Sequence, residues 1–147
     1  MADMTYILFT EQPDGAVSLA ETRQDNWDSS WGMVGKPVEF LRTGVFYDML
    51  GRRVEFTEAD LDKFVDNFAA GAAGQDIPID IDHRFEKAAG WIRRVWRTEN
   101  KLEMLPEWNM LGVDLVGSAI YRYVSATIDI KDKVVRAVSL VNLPLLS

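Results

Sequence analysis

Between Ile77 and Asp82 the chain alternates strictly, with Ile77, Ile79 and Ile81 set against Pro78, Asp80 and Asp82. A period of two marks a strand whose successive side chains point to opposite faces. The segment predicts a half-buried strand with one apolar and one acidic face. By parity His83 follows the isoleucines inward if the strand continues that far. A second pattern has the helical period. Leu61, Phe64, Val65 and Phe68 fall at i, i+3, i+4 and i+7, which predicts a helix over 58–70 with one buried face. Thr57 is its N-cap, Glu58 and Asp60 complement the first turn, and Gly71 and Gly74 end it.

The remaining pattern is mostly β. Residues 4–10, "MTYILFT", predict a first strand, and Pro13-Asp14-Gly15 a turn. Glu21 to Lys36 is polar with two tryptophans, Trp27 and Trp31, and reads as a long loop or partner-binding arm. Residues 37–47 predict one strand with a glycine interruption, a bulge at Gly44. "RRVEF" is a short extended entry to the helix. "GWIRRVWR" and "KLEMLPEW" are joined by Thr98-Glu99-Asn100, a hairpin signal. Asn109 caps a weaker helix over 110–119, and "IYRYVSATIDI", 120–130, turns through "KDK" into "VVRAVSLV", 134–141. The sum is a mainly β (α+β) chain: a small closed β-barrel or curved antiparallel sheet with one or two flanking helices. Residues 1–36 form an N-terminal strand and arm, and 37–147 the barrel, one domain overall.

Composition narrows the function classes. The chain has 147 residues, enough to bury roughly 68–70% of its unfolded surface. It has no cysteine, which excludes disulfides, zinc–thiolate sites and cysteine nucleophiles. With 16 basic and 23 acidic residues the net charge is −7, a poor match for nucleic-acid backbones. The one basic cluster, Arg93, Arg94 and Arg97 beside Trp91 and Trp96, reads as a solvated strand face. No apolar run approaches a membrane span, and the N-terminus lacks the features of a signal peptide. No cofactor or metal is expected. His83 is the sole histidine, and adjacent strand residues diverge, so Asp80, Asp82, His83 and Glu86 do not make a zinc site.

A serine hydroxyl needs a base within hydrogen-bond reach to act as a nucleophile, and His83 is the one obvious base. Ser125 and Ser139 lie within predicted strands, where a rigid scaffold can fix geometry. There is no G-x-S-x-G elbow. On the residues alone, a Ser–His pair stands beside the plainer reading of a structural histidine near ordinary strand serines.

The order of segments sharpens this choice. "RVEFTEADLDKFVDNFAAG", "IPIDIDHR", "AAGWIRRVWRTENKLEMLPEW", "YRYVSATI" and "VVRAVSLVNLP", across about residues 37–146, together resemble the Mu-like prophage I proteins, the head-maturation proteases of Mu-type phages. The resemblance implies a serine endopeptidase on a closed barrel, related to prohead proteases and the herpesvirus capsid protease. It makes His83, in Asp82-His83, the general base, and Ser125, in Tyr121-Arg122-Tyr123-Val124-Ser125, the nucleophile. Gly90-Trp91 takes a packing role. Backbone N–H groups near Arg122 or Ser139 would hold the oxyanion. Ala137 stands where related prohead proteases carry the acid that orients the histidine. That third role is open among Ser139, Asp129, Asp80 and a backbone carbonyl, with Ser139 carried forward. The implied substrates are scaffold and major capsid proteins, cut inside the assembling procapsid in the host bacterial cytoplasm, with self-cleavage or a homodimer as further expectations. The loss of the acid keeps a second function open: a catalytically inactive structural or scaffolding component of the head.

Overall fold

The computed structural model describes residues 4–7, 17–18, 33–47 and 50–142. Within them the elements run β1 (Met4–Ile7), β2 (Val17–Ser18), β3 (Met33–Val34), β4 (Val38–Arg42), β5 (Gly44–Tyr47), β6 (Arg53–Phe56), α1 (Glu58–Ala69), β7 (Pro78–Ile81), β8 (Ala88–Thr98), β9 (Lys101–Trp108), α2 (Met110–Gly117), β10 (Tyr123–Asp129) and β11 (Val134–Val141). The turn at Pro13-Asp14-Gly15 and the tryptophans of the expected arm, Trp27 and Trp31, lie outside the described residues.

The main sheet has the order β1-β10-β11-β7-β8-β9-β3, with β2 also on β10 and β4 also on β9. Its pairs are antiparallel except β7–β11, which is parallel. Strand β4 comes back against β10. The six strands β4-β9-β8-β7-β11-β10 therefore curl into a nearly closed barrel, and the expected small β-barrel with flanking helices is what forms. Alternate residues fill the interior: Ile79, Leu102, Met104, Val124, Ala126, Val138 and Leu140 are all fully buried.

Helix α1 forms where the apolar spacing placed it. Thr57 accepts from the Asp60 N–H at 3.2 Å while Asp60 accepts from the Thr57 N–H at 2.9 Å, a reciprocal capping box. Leu61 and Phe64 are buried against the core, and the Phe64 ring meets Phe56 edge-on at 5.8 Å. Asn67 ties the helix to the β10–β11 turn by donating to the carbonyls of Asp132 and Lys133. Helix α2 is capped by Asn109, whose side chain accepts from Gly112 N–H at 2.9 Å. Close packing explains Gly90: a Cβ there would stand 2.5 Å from the Glu107 carbonyl oxygen on β9.

Three expectations change. The strand at 37–47 is two strands in two sheets: β4 joins β9, while β5 pairs only with β6 in a separate ribbon. Gly44, at φ 137°, lets the chain leave the barrel there. The strand at 120–130 starts later, because 120–122 complete the exit from α2 and the Tyr121 N–H donates to the Leu115 carbonyl. The strand holding Asp80 is buried on both faces rather than one: Ile79 and Asp80 are 0% and 1% exposed.

Candidate active site

Three neighbouring strands bring the chemistry together. In the parallel β7–β11 pair Asp80 lies opposite Ser139, and in the antiparallel β10–β11 pair Ser139 lies opposite Ser125. Paired residues share a face of the sheet, with Cβ atoms about 4.5–5.5 Å apart in the antiparallel case. Asp80, Ser139 and Ser125 thus form a polar row across the sheet. Thr127, two residues beyond Ser125, shares that face. The opposite face of the same strands carries Ile79, Val138 and Ala126. All four polar members are at most 1% exposed.

His83 reaches this row from a turn and not from the strand. Strand β7 ends at Ile81, and Asp82, His83 and Phe85 all adopt left-handed backbone, at φ 55°, 56° and 56°. The parity expectation, which sent His83 inward with the isoleucines, is corrected by this turn: the ring joins the Asp80 side. Positive φ costs a bulky residue such as Phe85 most. Such strain, of order 1–3 kcal/mol per residue, persists where surrounding contacts over-determine it, and it gathers at functional sites. Here the contacts are visible. The Asp82 N–H donates to the Leu140 carbonyl at 2.9 Å, and Arg84 N–H to the Ile81 carbonyl at 3.1 Å. Tyr121 donates its hydroxyl to Asp82 at 2.6 Å, and that bond, more than desolvation, raises the phenol's pKa. Phe85 N–H donates to Asp80 Oδ2 at 3.0 Å.

Asp80 therefore does two things. One carboxylate oxygen holds the turn through Phe85, and the other accepts from the Ser139 hydroxyl. Ser139 Oγ also stands 2.9 Å from His83 Nδ1, and Thr127 Oγ1 stands 3.1 Å from the same nitrogen. The direction of these bonds follows from donor counting. A carboxylate only accepts, so the Ser139 proton points to Asp80. Ser139 then has only lone pairs to offer His83, which places the imidazole proton on Nδ1 and leaves Nε2 as the basic nitrogen. Burial lowers the pKa of His83 below its ordinary 6.5, with Asp80 and then Asp82 opposing that shift through their charge. The result is a neutral imidazole of fixed tautomer at neutral pH, the state a general base needs.

Of the residues expected to orient His83, Ser139 touches it directly and Asp80 acts through Ser139. Asp129 is engaged elsewhere, accepting from the Asp132 N–H at 3.0 Å and lying 3.7 Å from Arg136. Ala137 sits opposite Thr127, one step along the row. The Arg122 N–H, one expected oxyanion donor, is taken by the Asn142 side chain at 3.0 Å. Sequence reasoning missed Thr127, although its parity with Ser125 in "YVSATID" was a usable signal; nothing in the sequence marks the turn that delivers Phe85. Trp91, expected to pack, is 42% exposed, and its neighbour Gly90 does the packing. Of the basic cluster, Arg97 is tied to Asp62 and Glu58, at 2.6 and 3.0 Å, and Arg93 to Glu107 at 3.3 Å. Among the described residues no three acidic or histidine side chains converge on a metal position. Among those residues, too, no helix is long and apolar enough to cross a membrane.

Residues 38–147 match the family model described as "Mu-like prophage I protein, N-terminal domain". The chain belongs to this family. The match covers every residue of the polar row and the turn that carries His83, so the Mu-like prophage character attaches to the barrel and its site. No curated protein and no solved structure matches the chain.

Proposed function

We propose that this chain is a serine endopeptidase of Mu-type phage head maturation, cutting scaffold and capsid proteins inside the assembling procapsid. Ser125 is the nucleophile and His83 its general base. The observation that carries the reading is the chain of bonds from buried Asp80 through Ser139 to His83 Nδ1, on the sheet face that also bears Ser125. Isolated core histidines have no need of a carboxylate-anchored hydroxyl to choose their tautomer; a catalytic base does.

The chemistry runs as follows. Ser125 Oγ forms a bond to the scissile carbonyl carbon while its proton passes to His83 Nε2. Ser139 and Asp80 keep the other nitrogen protonated and stabilise the imidazolium that forms. The tetrahedral intermediate collapses by breaking the C–N bond, and the Nε2 proton goes to the leaving amine. Water then repeats the attack on the acyl-enzyme, with His83 taking its proton, and Ser125 leaves as the restored hydroxyl. Family membership supports the phage setting; the proteolytic assignment rests on the geometry of the row.

One observation favours a second reading, that of a catalytically inactive head component: Ser125 is only 1% exposed. Catalysis requires substrate to uncover it. The separating experiment incubates the protein with its scaffold, alone and within assembled proheads, beside Ser125→Ala and His83→Ala. Cleavage abolished by both substitutions supports the protease. No cleavage by the unmodified chain in either setting supports the structural role.

A further inference from the structure

The face of the sheet that holds the polar row also opens into a groove of about 720 Å³. Asp80 and Ala137 belong to both: each lies in the row or beside it, and each lines the groove. Strand pairing places the other lining residues. Pro78 lies opposite Trp91 and Asp80 opposite Ala88, so one face of β7 and β8 contributes Pro78, Ala88 and Trp91. Phe85 provides a second link. Its ring meets the His83 ring edge-on at 6.4 Å and also lines the groove. An occupant of the groove is therefore one side chain away from the imidazole.

The lining has a definite chemistry. Phe85 and Trp91 are large apolar residues left 46% and 42% exposed, where burying them against a ligand is favourable. Small residues, Ala88 and Ala137, keep the space between them open. The adjacent charges Glu86 and Lys87 have opposite signs, Arg136 is engaged with the Ala73 carbonyl and Asp129, and Asp80 is buried with its oxygens accepting from the Phe85 N–H and the Ser139 hydroxyl. The groove thus selects by size and apolarity and not by charge. Its volume falls within the range of about 300–1,000 Å³ of ligand clefts and exceeds one side chain.

We propose that this groove seats a bulky aliphatic or aromatic side chain of the polypeptide being cut, together with a neighbouring residue. The substrates are then extended segments carrying such a residue close to the scissile bond. This inference rests on the endopeptidase reading.

The test uses the full chain carrying Ser125→Ala, so that binding is read without turnover. Alanine-based octapeptides with one variable position, Phe, Leu, Ser or Asp, are titrated by calorimetry, and in chains that keep Trp91 its indole resonance is followed by NMR as well. Phe and Leu peptides bind at least about tenfold more tightly than Ser and Asp peptides and shift the Trp91 signal. Trp91→Ala, which empties one wall, and Ala88→Leu, which fills the space from a half-buried position, each remove that preference. Equal affinity for all four peptides, or a preference that survives both substitutions, overturns the proposal. The two readings fail separately. Selective binding without cleavage by the unmodified chain leaves the groove and sinks the endopeptidase. Cleavage indifferent to the variable residue does the reverse.

Discussion

The two faces of β7, β11 and β10 are built on the same strands and are equally buried, yet they carry opposite chemistry. One presents Ile79, Val138 and Ala126 to the barrel interior; the other presents Asp80, Ser139 and Ser125. The apolar face needs only to exclude water. The polar face must satisfy every donor and acceptor it takes out of water, since each unsatisfied buried group costs about 1–3 kcal/mol. A fold seeking stability alone has no reason to prefer the second arrangement. The difference teaches where stability and chemistry reside in this molecule: substitutions on the first face act on folding, and substitutions on the second act on His83.

The sharpest break comes at His83 itself. On the proposed endopeptidase reading His83→Ala removes the base, so scaffold cleavage in a gel-based time course falls on the order of 10⁴- to 10⁶-fold while circular dichroism stays native. Asp80→Asn comes next. It keeps the size of the side chain but turns a pure acceptor into a group that also donates, so the Ser139 proton and the His83 tautomer lose their fixed direction. Cleavage falls by up to about 10⁴-fold. Loss of rate with an unchanged KM separates this positioning role from damage to substrate binding.

On the other face, Ile79→Ala leaves a cavity in the barrel and lowers unfolding free energy by about 2–5 kcal/mol in urea titrations. The pH-rate profile of the surviving folded protein keeps its shape. A profile that moved with Ile79 would dissolve the division between the faces.

The smallest effect is pH linkage. Burial puts the folded-state pKa of His83 below 6.5, so the unfolded chain binds the extra proton first as pH falls. Stability contributed by the neutral ring is complete above about pH 6.5 and is lost as pH drops from there through the lower folded value. His83→Gln flattens that part of the stability curve. On the endopeptidase reading the cleavage rate of the unmodified chain rises with pH with a midpoint under 6.5 for the same reason.

How much of this was legible beforehand depends on the residue. Helix α1 was readable because its cap, its charges and its apolar spacing all point to 58–70, one residue longer than the helix at Glu58–Ala69. Ser125 and Ser139 were correctly set in strands, since "YVSATID" alternates and "VVRAVSLV" is a short apolar run rich in valine. The register that puts them opposite each other was not readable, because the hairpin shifts by one residue at an irregularity between Thr127 and Ile128 that the sequence does not mark. Asp80 stood among several candidate orienters; only the parallel pairing of β7 with β11 singles it out. The turn at 82–85 was invisible for a different reason. Its three left-handed residues are not glycines, so local propensity argues against the very conformation that tertiary bonds impose. Gly44 was seen but underestimated: it redirects the chain into a second sheet where a bulge was expected.

The central claim concerns a single proton on a single ring, and nitrogen-15 NMR of His83 reads it directly. With the chain at neutral pH, long-range correlation spectra should show Nδ1 protonated and Nε2 bearing the lone pair, and Ser139→Ala should scramble that pattern. A native spectrum with the proton on Nε2, unchanged by Ser139→Ala, would contradict the account.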